Sequence, residues 1–557
     1  MGRTIRTCSL GGAALAAVLL AAAPASAVRV ASYRPSAAST FVGARAAELR
    51  GDSRRAAALY AALAAADPAN TVLADRAISQ AISAGDMPLA LRLVGNRPPV
   101  GFGVDGRLLL AANALRSRRA EQAVQLLQLD APSGSLKFLA QPVLAWTLIE
   151  RRDPRAMQAI EGIPADGVSA PLKIELSAFA LIRQGNTAAA EPLARRAIET
   201  GGGRAVALRL AFADALSRAG DRNRALALLD TAEPAVRRAR LLVAAGRRPG
   251  AAVETAAQGF GLILDALALD LNRETGQSLP ISLIQVARFA DPASDYHRLL
   301  AGALLGEAGR TDDALASVRG VDERGIFVSQ ARDSEVNLLT KAGRTPEALN
   351  RAQAFAQAGN ADHTDWGRLA DTLDSADRQA DAAVAYARAI ALLPPDLPNA
   401  WQFHLLHGAM LERSGRWNEA RLALDKARAL APQSPTVLNY LGYAQLERGE
   451  NLDSAEALIA EAHRLAPEDA SITDSLGWAQ FKRGKVAEAI RTLAQAAAKD
   501  PAEAEIHEHL GDALYTAGRR FEARHSWNAA LIVANDKVRS RIQAKLQSGL
   551  APSNAAP

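Results

Sequence analysis

One cysteine, four methionines and an aromatic content of only 4% mark what this 557-residue sequence has little of. Each scarcity excludes something. The single Cys8 lies in the apolar N-terminal leader, so a chain cleaved after that leader has neither a disulfide nor thiolate chemistry. Scarce aromatics beside an abundance of Ala and Leu argue against β-architecture and for helices packed closely on one another. The net charge is +6, or +4 without Arg3 and Arg6, and bases alternate with acids, as in Arg413, Arg416, Glu419 and Arg421. No long basic run is present, which leaves a nucleic-acid partner without support. No segment after the leader is apolar enough to span a membrane. Phosphate-loop, dinucleotide, calcium-loop and Gly-x-Ser-x-Gly signatures are missing. Gly201-Gly202-Gly203 is not followed by Lys-Ser or Lys-Thr and reads as a turn. The eight histidines offer little. His404 and His407 stand one helical turn apart, but they fill positions that Leu438 and Leu441 occupy one period later, which makes them packing residues. His507-Glu508-His509 lacks the His-Glu-x-x-His spacing of a zinc site. The expectation is therefore no enzyme, no cofactor and no metal.

What is present begins with a leader. Arg3 and Arg6 precede an apolar run over 10–23 and then Ala25-Ser26-Ala27. This pattern predicts a signal peptide, residues 1–27, cleaved after Ala27, and a periplasmic location for the mature chain, with a position peripheral to the outer membrane as a further option. An uncleaved anchor is the alternative. Cys8 does not follow a Leu-Ala-Gly lipidation site.

The dominant feature is a period. Gly408, Gly442, Gly477 and Gly511 recur at intervals of 34, 35 and 34. Each is followed by two Ala seven residues apart: Ala420 and Ala427, Ala455 and Ala462, Ala489 and Ala496, Ala523 and Ala530. Pro432, Pro467 and Pro501 close three of the units. Gly inside a helix costs about 1 kcal/mol relative to Ala, a cost that makes sense where a side chain would hold two helices apart. Ala at a spacing of seven is a close-contact stripe, and Gly415, Gly449, Gly484 and Gly518 suit helix C-terminal positions. The pattern resembles the tetratricopeptide repeat, a helix–turn–helix unit. It implies an all-α superhelical solenoid of about 12–15 repeats.

Weaker units extend the array toward the N-terminus, around Gly51 and Ala56, Gly85 and Ala90, Gly185 and Ala190, Gly220 and Ala225, Gly246 and Ala251, Gly309 and Ala314, and Gly343 and Ala348. Residues 366–394 match in full, whereas 107–163 are degraded. Pro394-Pro395-Asp396-Leu397-Pro398 stretches one interval to 38. It divides a degenerate array, residues 28–393, from a regular one, 399–534. Residues 272–280 read as a polar insertion inside one unit, 535–548 as a capping helix, and 549–557 as a disordered tail.

In such a superhelix the first helix of each unit lines the concave side. The groove positions are then Asn439, Tyr443, Asp474, Trp478, Phe481, Glu508, Asp512 and Tyr515. Aromatic anchors with a polar rim suit a peptide-binding surface. Packing of Trp478 and Phe481 between successive first helices is an equal alternative. The basic clamp that some tetratricopeptide proteins use for a terminal carboxylate is not apparent, because acids occupy much of this face. Asn439-Tyr440-Leu441-Gly442-Tyr443, Asp474-Ser475-Leu476-Gly477-Trp478 and His509-Leu510-Gly511-Asp512-Ala513-Leu514 with Trp527 resemble bacterial envelope tetratricopeptide adaptors. One of these is the lipoprotein that activates a carboxy-terminal processing protease and presents cell-wall hydrolases to it. That resemblance covers 401–534 and implies a scaffold that binds proteins or peptide segments, among them a periplasmic protease or hydrolase. This chain lacks the lipidated cysteine. A scaffold for outer-membrane or exopolysaccharide export machinery is the alternative reading.

Overall fold

The computed structural model describes residues 36–95, 101–129, 135–274 and 278–556. Thirty α-helices, numbered α1 to α30 in chain order, and two short 3₁₀ turns make up the regular structure of these residues, with no strand among them. Twenty-eight of the helices pair with their sequence neighbour into fourteen hairpins; α13 (Pro234–Ala244) and α30 (Asp536–Ser548) stay outside a hairpin. The leader and its cleavage site lie outside the described residues. No helix among the described residues is long and apolar enough to cross a membrane.

The regular array shows why its sequence folds this way. A Cβ built on Gly442 would meet Ile459 Cγ1 at 2.7 Å, and one on Gly477 would meet Leu493 Cγ at 2.6 Å. One on Gly511 would lie 2.3 Å from Trp527 Cδ1. The helices of each hairpin thus approach more closely than any side chain at these positions allows. The two stripe Ala of each second helix, from Ala420 and Ala427 to Ala523 and Ala530, are fully buried. Within one unit, Asp469 caps α26 (Ala470–Lys482) by accepting from the Ile472 N–H at 3.0 Å. Gly484, at φ +75°, makes the left-handed step into α27 (Val486–Lys499). Pro501 stands two residues past the end of α27 and cannot continue its ladder.

Curvature follows from which helices touch. The first helices α24 (Pro435–Glu447), α26 and α28 (Ala504–Thr516) pack on one another in succession, whereas their second helices are farther apart. The side carrying the first helices is therefore the inner, concave one.

In the N-terminal part the concave side is already filled. The hairpin of α14 (Ala256–Glu274) and α15 (Ser278–Ala290) packs against three successive first helices: α3 (Thr71–Ser83), α5 (Val104–Arg116) and α7 (Lys137–Glu150). Its contact is apolar, with Phe260, Ile263, Leu264, Ile284 and Val286 buried. A Cβ on Gly259 would sit 2.1 Å from Trp146 Cδ2, so α14 approaches α7 as closely as glycine permits. Glu150 accepts from the Ala256 N–H at 2.8 Å, which fixes the start of α14. Of residues 272–280, expected as an insertion within a unit, 272–274 end α14 and 278–280 begin α15, and the rest lie outside the described residues. Farther on, Arg310 donates to the Ser83 carbonyl at 3.2 Å and to Ser83 Oγ at 3.0 Å, closing the coil onto its first hairpins. One buried apolar cluster runs from Ala57 to Ala331.

Candidate protein-binding groove

The eight positions expected to face the groove lie on α24, α26 and α28. Asn439 and Tyr443 are one turn apart on α24; Asp474, Trp478 and Phe481 share a stripe of α26; Glu508, Asp512 and Tyr515 share the matching stripe of α28. The structure brings them together, but under cover. Trp478 is 1% exposed, Glu508 and Asp512 are fully buried, and Asp474 is buried, while Asn439, Tyr443, Phe481 and Tyr515 are half-buried.

Trp478 lies between two rings. Phe481 stacks on one side at 4.9 Å and His509, from α28, on the other at 4.1 Å. His509 in turn bonds through Nδ1 to the Asp474 carboxylate, at 2.9 Å to Oδ2. Burial alone would lower the His509 pKa; the Asp474 carboxylate outweighs it and leaves the imidazole above its ordinary value. Asp474, Trp478 and His509 thus join two successive first helices.

The acids of the groove are paired. Helix α30 lays Lys545, fully buried, between Glu508 and Asp512: its Nζ donates to Glu508 Oε1 at 2.6 Å and to Asp512 Oδ2 at 2.7 Å. Arg541, one turn earlier, donates to both Glu508 oxygens at 2.7 and 2.6 Å. Burial pushes the Glu508 carboxyl up, yet the hydrogen bonds from Arg541 and Lys545 hold it below the ordinary glutamate value. For Asp512 burial prevails over Lys545 and the carboxyl is raised. The groove therefore presents little free negative charge, and the acidic character read from its positions is cancelled by a helix beyond the repeats.

Residues 549–556 also depart from expectation. They are not a free tail. Gly549, at φ +83°, reverses the chain after α30 against the Tyr515 hydroxyl. Asn554 closes a turn, accepting from the Ala551 N–H at 2.7 Å and donating to the Gly549 carbonyl at 2.9 Å. The Ala556 N–H donates to Asp512 Oδ2 at 3.0 Å, and Ala556 joins the buried cluster of Leu446, Ile459, Trp478 and Ala479. Among the described residues, Asn439 Oδ1, Gln445 Oε1 and Glu447 Oε1, all on α24, are buried acceptors without a hydrogen-bond partner.

Sequence reasoning missed Arg541, Lys545, His509, Asn554 and Ala556. A usable signal existed for the first two, an i, i+4 pair of bases directly after a unit whose concave positions are acids. Four of the other histidines are held by packing or by a polar contact. His404 and His407 are half-buried on α22 (Ala400–Arg413), both with pKa values lowered by burial. His507 faces the Pro501 carbonyl at 3.1 Å. His297 is buried against Asp265, its Nε2 3.0 Å from Oδ2. It borders a cavity of about 760 Å³ rimmed by Arg247, Arg248 and Arg324.

Comparison with known proteins agrees with this architecture. Residues 405–470 and 475–538 match a family model described as tetratricopeptide repeat. Among solved structures, the chain is similar to one from the APC/C hetero-tetramer Cut9–Hcn1, at 16% identity and a TM-score of 0.38, covering 92% of this chain and 96% of that one. It is similar to a tetratricopeptide repeat protein from Parabacteroides merdae at 15% identity and a TM-score of 0.37, covering 45% and 98%. It is also similar to YrrB, described as a TPR protein with an unusual peptide-binding site, at 20% identity and a TM-score of 0.27, covering 35% and 100%. No curated protein matches the chain. The molecule is an all-α solenoid carrying tetratricopeptide repeats.

Proposed function

We propose that this solenoid is an exported, non-catalytic scaffold whose C-terminal groove holds a short segment of a partner protein. The partner we favour is an envelope protease or a hydrolase presented to it. One observation carries the reading: the groove between α24, α26 and α28 already accommodates a stretch of chain, residues 549–556, that reaches Asp512 through a backbone N–H. A backbone donor on a groove side chain, with a small side chain against a buried aromatic floor, is a contact that does not depend on this chain's own sequence and that a partner's segment reproduces. The basic leader, apolar core and Ala25-Ser26-Ala27 support export.

The test is capture from envelope extract with the mature chain, followed by binding of the purified candidate to wild type and to Phe481→Ala and Tyr515→Ala. A processing protease or cell-wall hydrolase that loses about thirtyfold in affinity on these changes, with the melting temperature held, supports the reading. Recovery of glycan-export components would move the scaffold to export machinery. Binding that neither change weakens would remove the groove from the account.

A further inference from the structure

Both concave surfaces of this molecule are filled by its own chain, and the two occupants differ in kind. The α14–α15 hairpin brings a continuous apolar contact and cannot leave without opening the core. The segment 549–556 brings much less of that sort: Leu550 packs half-buried on the core of α28, α29 and α30, and Ala556 is buried beside Trp478 and Ala479. Its buried residues beyond Gly549 are Asn554 and Ala556. Its side-chain hydrogen bonds with Asn554 are internal to the segment, and the Ala556 N–H is its bond to the repeats at Asp512. It has no charged side chain. The carboxylates that line its site are satisfied by Arg541 and Lys545 on α30, so the site does not need the tail for charge balance.

From this we infer that residues 549–556 are a resident, displaceable occupant of the C-terminal groove, and that the segment which replaces them in a partner has the same chemistry: a short uncharged turn of small residues with one leucine, and a backbone N–H for Asp512. The inference rests on the reading of this groove as a binding surface and adds its regulation. The tethering geometry sets the size of the effect. A segment held next to its site by a short connection has an effective concentration in the millimolar range. For a tail whose own dissociation constant is about 0.1 mM, this weakens the apparent affinity of an incoming peptide about tenfold. Docking depends on one backbone step. Gly549 at φ +83° lies so close to Tyr515 that a Cβ would stand 2.2 Å from its hydroxyl. A β-branched residue there is both strained and blocked, so it should expel the tail without removing it.

The probe is a labelled synthetic peptide with the sequence of residues 549–557. Its binding is followed by fluorescence anisotropy to three chains: full length, a chain ending at Ser548, and full-length Gly549→Val. The expected result is saturable binding to the shortened chain and to Gly549→Val, with at least tenfold weaker binding to the full-length chain. Peptide binding that is equal for all three, or absent from the shortened chain, overturns the inference. So does loss of the helical signal in the shortened chain, because the tail would then be a structural element and not an occupant. A groove that binds this peptide while envelope capture yields nothing would sustain the inference and defeat the proposed function, so the two failures are distinguishable.

Discussion

Lys545→Met is the perturbation with the most calculable consequence. Lys545 is fully buried, and its Nζ lies 2.6 Å from Glu508 and 2.7 Å from Asp512. Methionine keeps the length and apolar bulk but removes the charge. Deleting one member of a buried ion pair costs about 3–5 kcal/mol, because the remaining charge stays desolvated. Here the lower end applies. Glu508 keeps both hydrogen bonds from Arg541, and Asp512 keeps the Trp527 indole N–H at 2.9 Å and the Ala556 N–H. Asp512 also has an escape: burial already raises its carboxyl, and without Lys545 it takes up a proton more readily still. The sign follows. An acid whose folded pKa lies above its unfolded value destabilises the fold at high pH and is relieved as pH falls, so the penalty should be about 3 kcal/mol at pH 7 and smaller at pH 5. Repeat arrays open locally, so the suitable assay is hydrogen exchange over residues 504–548 rather than one global melt. About 3 kcal/mol corresponds to a hundredfold or greater acceleration there. Adding Asp512→Asn should recover part of the loss, since the two residues are directly coupled. Exchange within threefold of wild type, or a penalty that grows as pH falls, would refute the reasoning.

Other expectations are independent. Gly477→Leu forces a side chain against Leu493 and should cost about 1–3 kcal/mol, with limited proteolysis nicking 470–534 first; an unchanged cleavage pattern would remove that contact from the account. His509, with a pKa raised above 6.5, stabilises the α26–α28 contact fully below pH 6.5 and less as pH rises through its folded value. Exchange in α26 and α28, corrected for intrinsic rate, should therefore quicken on the alkaline side in wild type and not in His509→Gln. N-terminal sequencing of natively expressed protein should read Val-Arg-Val-Ala-Ser from Val28; intact Met1 in the cytosolic fraction would contradict export.

The solenoid was legible because its local rules repeat. Gly at 442, 477 and 511, and Ala in the facing helix, are demanded by close approach, and such demands leave a period in the sequence. What fills the concave faces was not legible. Phe260, Ile263, Leu264, Ile284 and Val286 announce buried helices but not which first helices they cover. The tail was hidden for the opposite reason. Gly549, Pro552, Ser553 and Asn554 are the residues of a disordered end, and their order here depends on Asp512 and Tyr515, which belong to an earlier helix. Charge misled in the same way: Glu508 and Asp512 look like a free acidic rim until α30 lays Lys545 and Arg541 between them. Trp478 was left open between anchor and packing residue. With the tail docked it is buried between Phe481 and His509, so a partner would meet Phe481, Tyr443 and Tyr515 first.

The most direct test of the scaffold account is site-specific photo-crosslinking in intact cells. A benzophenone side chain is placed at Tyr443 in the groove or at Leu422, which is exposed on α23 (Trp417–Leu430), a second helix on the outer side. The account predicts a discrete adduct with another protein from position 443, stronger when the chain ends at Ser548, and none from position 422. Adducts from 422 alone, or from neither position with or without the tail, would contradict the claim that this groove is where the protein holds its partner.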